Sequence, residues 1–125
     1  MTETQKKRNL KLMEDIISYL QKKDMFDMIY IYVNGHRYSN EKTSDDNPEL
    51  STKHGTYYDN GEYDVTEYLE YNNPEILTMT FEGPFYHAYN GNYGSYKTEE
   101  DIRKICEKYD LYPEQGYAWS LAVYE

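Results

Sequence analysis

The stretch MFDMIYIYVNGHRYS, residues 25–39, determines how the fold is read. Residues 25–33 are rich in β-branched and aromatic side chains and predict a strand. They run directly into Asn34-Gly35, a dipeptide that tolerates the positive φ angles of a tight hairpin turn. His36, Arg37, Tyr38 and Ser39 then pair back as the second strand. What flanks this hairpin sets the fold class.

Before it, residues 4–22 predict an amphipathic helix. Leu10, Met13, Ile17 and Leu20 recur at helical spacing, and Leu12 and Ile16 widen the stripe. Thr2 with Gln5 matches a capping box, with Thr4 as an alternative cap. Lys22 and Lys23 suit a helix C-terminus, whose carbonyls carry partial negative charge. Lys6, Lys7, Arg8 and Lys11 form a solvated basic face near its start.

Beyond the hairpin, residues 40–55 read as a polar surface loop around Asp45-Asp46-Asn47-Pro48. Tyr57 and Tyr58 lead to Asn60-Gly61, a second turn signal that predicts a short hairpin. Asp64 with Glu67 predicts a capped short helix over 65–71, ended by Asn72-Asn73-Pro74. Ile76, Thr78 and Thr80 alternate with Leu77, Met79 and Phe81 as a strand. After Gly83-Pro84, residues 85–89 read as an edge strand, because proline cannot donate to a central ladder. Thr98 and Asp101 predict the cap of a helix whose apolar face is Ile102, Ile105, Cys106 and Tyr109. Residues 111–116 read as a turn, and residues 117–124 as a final strand carrying the only tryptophan. The expected fold is α+β, an antiparallel sheet of about four to five strands with two main helices packed on one face.

At 125 residues and 15.0 kDa the chain is expected to be a single domain over 1–125. Leu, Ile, Val and Phe number only 21 of 125, a proportion that together with high net charge points toward disorder. Seventeen tyrosines point the other way, since each can bury a ring while its hydroxyl stays wet, and tyrosine is expected to supply much of the core. Thirteen Lys and Arg stand against 23 Asp and Glu, a formal charge of −10 and a pI near 4.7. Such a chain repels phosphate, which argues against direct binding to nucleic acid or an anionic membrane. No apolar run approaches the ~18 residues of a spanning helix, and the N-terminus is charged, so a cytoplasmic protein is expected.

No catalytic pattern is visible. Cys106 is the only cysteine, which excludes an internal disulfide and any Cys-pair metal site. On the apolar face of its helix it reads as a packed small hydrophobe. His36, His54 and His87 sit on separate segments without metal-ligand spacing. Gly91 and Gly94 lack the Lys-Ser/Thr that a phosphate loop needs. The expectation is a non-enzymatic protein with no cofactor, no metal and no catalytic residue. A small enzyme or ligand-binding domain with a site assembled from His36, His87, Tyr86 and Glu82 is an alternative.

The informative feature is charge asymmetry. Residues 1–23 hold six basic and three acidic side chains, residues 24–96 three and 13, and residues 97–125 four and seven. Between Lys53 and Lys97 there is no Lys or Arg, while Asp59, Glu62, Asp64, Glu67, Glu70, Glu75 and Glu82 are interleaved with nine tyrosines. Like charges without local counterions repel, so a cationic partner would relieve them; the alternative is that the charge simply keeps a tyrosine-rich domain soluble. Carboxylates steer a basic surface, tyrosines supply rigid contact area, and arginine stacks on their rings. Asp59, Glu62, Asp64, Glu67 and Glu70 are the expected partner-binding charges, with Tyr58, Tyr63 and Tyr68 as packing anchors. The basic helix is expected either to cover part of this acidic surface within the molecule or to do so in a homodimer.

Two stretches carry a resemblance. NNPEILTMTFEGPFYHAY (72–89) and KICEKYDLYPEQGYAWSLAVY (104–124), about a third of the chain, resemble short uncharacterised proteins of Gram-positive gut bacteria and their mobile elements. In general character the chain is similar to anti-CRISPR and anti-restriction inhibitors, and to immunity proteins that neutralise nuclease toxins. That similarity rests on no shared motif; the acidic surface itself, fitting a groove built to grip phosphates, can act as a mimic of nucleic acid, and a basic protein, a nuclease or CRISPR effector, is the expected partner.

Overall fold

The computed structural model describes residues 1–125. Helix α1 (Glu3–Lys22) opens under a complete capping box: the Thr2 amide donates to Gln5 Oε1 at 2.8 Å, and the Gln5 amide to Thr2 Oγ1 at 3.1 Å. Leu12, Met13, Ile16, Ile17 and Leu20 on its apolar stripe are wholly buried. The hairpin follows as β1 (Ile29–Val33) and β2 (His36–Ser39), with Tyr32 opposite Arg37 and Val33 opposite His36. Asn34 (φ 53°) and Gly35 (φ 79°) both adopt the left-handed conformation that this two-residue turn requires.

Five further strands, β3 (Glu49–Thr52), β4 (Gly55–Glu62), β5 (Leu77–Phe81), β6 (Tyr112–Gln115) and β7 (Ser120–Tyr124), complete one sheet. It has seven strands in the order β3-β4-β2-β1-β5-β7-β6, all neighbours antiparallel. The α+β class stands, but the expected count of strands was too small. The added strands β3 and β6 form the two edges, where Glu49, Leu50, Ser51, Tyr112, Glu114 and Gln115 are exposed. A strand that buries neither face need not alternate apolar and polar residues, so both segments read as loop or turn.

Three other expectations are corrected. Asn60-Gly61 does not turn the chain: both lie inside β4, where Gly61 takes φ 96° and the pairing with β2 shifts register. Residues 85–89 belong to a helix, α2 (Gly83–Tyr89). Pro84 occupies its first turn, where no amide is needed, and Phe85, Ala88 and Tyr89 bury one side at helical spacing. The helix expected over 65–71 is a single 3₁₀ turn, Val65–Glu67, although Asp64 does cap it through the Thr66 amide at 3.0 Å.

Helix α3 (Lys97–Glu107) begins one residue before Thr98 and has no side-chain cap. Asp101 instead accepts from the Tyr19 hydroxyl at 2.8 Å, tying α3 to α1. There are three helices, not two, and they do not form one layer on one face. α1 meets β1 and β3, whereas α3 packs on α1, α2 and the β6 edge. Twenty-one buried side chains make a continuous core, to which only Tyr38, Tyr57 and Tyr89 of the seventeen tyrosines contribute. Tyrosine is thus a minor part of the core, because most rings sit half-buried or exposed with their hydroxyls at the surface. No helix is long and apolar enough to cross a membrane.

Candidate partner-binding face

Alternation along β1 sends Ile29, Ile31 and Val33 into the core, and Tyr30 and Tyr32 to the opposite face of the sheet. Thr80 and Thr78 on β5 lie beside those tyrosines, and Ser120 and Ala122 on β7 lie beside the threonines. Residues 63–74 form a strap on this second face. The Asn73 side chain fastens it by donating to the Val123 carbonyl at 2.7 Å, and the Asn73 amide donates to Thr78 Oγ1 at 2.8 Å. The strap passes so close to Gly116 that a β-carbon there would lie 2.7 Å from Tyr71 Cβ.

Arg37 occupies the middle of this face. Its guanidinium lies 4.4 Å from the Tyr30 ring centroid and 4.2 Å from that of Tyr63, and its Nε donates to Asn60 Oδ1 at 3.1 Å. Asn60 is a buried hub. Its Oδ1 also accepts from Ser39 Oγ at 2.8 Å, and its Nδ2 donates to the Glu41 carbonyl at 2.9 Å and to Asn47 Oδ1 at 3.2 Å. Further along, Tyr117 and Trp119 stack at 4.9 Å with an interplanar angle of 12°, and Tyr71 meets Tyr117 edge-on at 5.1 Å. The Tyr117 hydroxyl donates to Glu70 Oε2 at 2.7 Å, a bond to the carboxylate that raises the phenol's pKa.

Two cavities open on this face. The first, about 440 Å³, lies by the β1–β2 turn and is lined by His36, Glu62, Tyr63 and Asp64 among others. His36 Nδ1 is 2.9 and 3.0 Å from the two carboxylate oxygens of Asp59. A carboxylate only accepts, so Nδ1 carries the hydrogen in this contact. The second cavity, about 390 Å³, is lined by Tyr30, Tyr32, Trp119, Met28, Glu41 and Glu82 among others. Tyr32 borders both.

The charges on this face are uncompensated. The molecule contains seven ion pairs, and of the 13 acidic side chains in residues 24–96 only Asp59 takes part in one, with His36. Glu62, Asp64, Glu67, Glu70, Glu75 and Glu82 have no cation within ion-pair distance. The basic helix does not cover them within the molecule: Lys6 pairs with Glu3, and Arg8 with Glu125.

The expected partner-binding residues divide into two sets. Glu62, Asp64, Glu67 and Glu70 are exposed beside Tyr63 and Tyr68, whose rings tilt against each other at 5.9 Å. Asp59 is half-buried and committed to His36 and to the Gly61 amide at 2.8 Å. Tyr58 lies on β4 away from the strap, with its hydroxyl donating to Glu49 at 3.2 Å. His36 and His87 do not meet: His87 is on α2, paired with Asn92 at 3.0 Å, while Tyr86 packs against the core and Glu82 lines the second cavity.

Arg37, Glu41, Asn60 and Trp119 went unrecognised as parts of this face. The two-residue turn held the missing signal, since its register places Arg37 directly opposite Tyr32. Cys106 is wholly buried, and burial pushes its thiol up to about 12, far from a nucleophile's range. No group of three or more His, Cys, Asp or Glu side chains could hold a metal ion. Compared with family models, curated proteins and solved structures, the chain matches none.

Proposed function

We propose that this is a non-enzymatic cytoplasmic binding protein whose strap-bearing sheet face occupies the basic surface of a nucleic-acid-handling protein, in the manner of an anti-CRISPR inhibitor. The observation that carries the reading is the set Glu62, Asp64, Glu67 and Glu70. All four are exposed and without a cation: Glu62 and Asp64 line the first cavity with Tyr63, and Glu70 accepts from Tyr117, whose ring, like those of Tyr68, Tyr71 and Trp119, is exposed. Left alone, these charges only repel one another; a partner built to grip phosphates supplies the missing cations. The aromatic rings supply contact area that salt does not screen.

The test is affinity capture from a lysate of the source organism, with the quadruple variant Glu62→Gln, Asp64→Asn, Glu67→Gln and Glu70→Gln beside the wild type. Exposed charge pairs contribute little singly, so the four together are expected to weaken capture by about tenfold or more. Circular dichroism should be unchanged, because none of the four holds the core. A basic, nucleic-acid-binding protein retained by the wild type, and eluted by salt, is the expected partner. Equal capture by the variant sinks the proposal.

One observation favours a second reading, a small acid–base enzyme. His36 donates to Asp59 and is among the residues lining the cavity with Glu62 and Asp64, a histidine with an orienting carboxylate, although its ring stacks on Tyr38 on the core side of β2. His36→Gln separates the two readings: partner capture survives it if the face is a binding surface.

A further inference from the structure

We propose that the second cavity, between Tyr30, Tyr32 and Trp119, is a receptor for one arginine side chain of a basic partner. The inference rests on the reading of this face as a surface for such a partner, and names the group that enters it. Four aromatic residues, Tyr30, Tyr32, Trp119 and the core residue Phe81, line the cavity, and Glu41 and Glu82, both exposed and without a cation, stand among its other lining residues. An aromatic wall with a carboxylate rim is the environment that attracts a desolvating cation, since ring faces carry negative charge density.

The molecule already shows what its face does with a guanidinium. Arg37 lies between Tyr30 and Tyr63, 4.4 and 4.2 Å from their centroids, and takes no carboxylate partner. Tyr30 serves both that clamp and the cavity. Arginine rather than lysine follows from the geometry of the walls. A guanidinium is planar, weakly hydrated and stacks on rings, whereas an ammonium holds its water shell and has no plane to stack. The Trp119 wall is fixed in advance: it stacks on Tyr117, which Glu70 holds by a hydrogen bond. A wall that needs no reordering loses less entropy on binding. At about 390 Å³ the cavity admits a guanidinium and its stem with room for bridging water.

Trp119 is the only tryptophan, so its fluorescence reports occupancy of this cavity directly. The probe is N-acetyl-arginine methylamide, with the citrulline analogue, of nearly the same shape without the charge, and the lysine analogue as comparisons. Expected are a saturable change with the arginine probe, a midpoint at least threefold higher with lysine, and no saturation with citrulline. The double variant Glu41→Gln, Glu82→Gln, which leaves the aromatic walls in place, is expected to raise the arginine midpoint about three- to tenfold. Equal midpoints for arginine and citrulline, or for arginine and lysine, overturn the proposal, as does a double variant indistinguishable from the wild type. A silent Trp119 together with salt-sensitive capture of a basic protein overturns the arginine receptor and leaves the partner-binding face standing. A saturable arginine response, with capture unaffected by the quadruple variant, does the reverse.

Discussion

Asn60 shows how one residue can be misread and still govern its surroundings. Its side chain joins Arg37, Ser39, the Glu41 carbonyl and Asn47 across β4 and β2, and both Ser39 and Asn60 are buried. Asn60→Ala leaves the Arg37 Nε without an acceptor and the Ser39 hydroxyl with only the longer bond to the Glu41 carbonyl, at 3.3 Å, and a stranded buried polar group costs about 1–3 kcal/mol. The expected loss in unfolding free energy is about 2–3 kcal/mol by denaturant titration; a change below ~0.5 kcal/mol would show that water replaces the hub. Next to glycine, asparagine is also the commonest signal for a tight turn, which is why the pair 60–61 pointed to a hairpin. Local chemistry could not separate the two uses. Only the partners on β2 and in the 41–47 segment do so, and those contacts are invisible along the chain.

Among the elements, α1 and the β1–β2 hairpin were legible because periodicity and turn chemistry agree over many residues. α2 was not: at seven residues its apolar positions fit either period, and Pro84 weighed toward the wrong one. The contact between α1 and α3 rests on hydroxyls reaching carboxylates, Tyr19 to Asp101 at 2.8 Å and Tyr109 to Asp15 at 2.5 Å. Burial, with the bond to Asp101, pushes the Tyr19 phenol up to about 12, and burial pushes Tyr57 to about 12 as well. A phenol whose pKa is raised by folding contributes stability that is complete below its ordinary value of 10.0 and is lost as pH climbs toward 12. The thermal midpoint should therefore fall between pH 10 and 12, with tyrosinate absorbance rising in the same transition. Tyr19→Phe should make that fall shallower; an unchanged slope would assign the alkaline loss to other groups.

At the scale of the whole molecule, charge is sorted by side. Four of the seven ion pairs, Lys6–Glu3, Lys97–Asp101, Arg103–Glu99 and Lys104–Glu100, join neighbours along a single helix, and Lys108–Asp15 joins α3 to α1. The strap face has no such pairing, so the charges of Glu62, Asp64, Glu67 and Glu70 act there as repulsion. Salt shortens the reach of that repulsion, from about 10 Å at 0.1 M to about 3 Å at 1 M. The thermal midpoint is expected to rise by a few degrees over that range of sodium chloride, and by less in the quadruple variant; a fall would mean that the helix-side pairs dominate. This sorting was visible in the sequence as the gap between Lys53 and Lys97, whereas the aromatic walls that give it a shape were not, since they arise from residues as distant as Tyr30 and Trp119. The outermost strands carry a different consequence. A sheet ending in β3 and β6 offers two rows of unpaired amides and carbonyls, the template on which another chain can lay itself down. Glu49 stands on one of these borders; Pro113, with no amide to lend, and Glu114 stand on the other. Each border thus carries its own obstacle to the addition of a further strand, a charge on one side and a proline with a charge on the other.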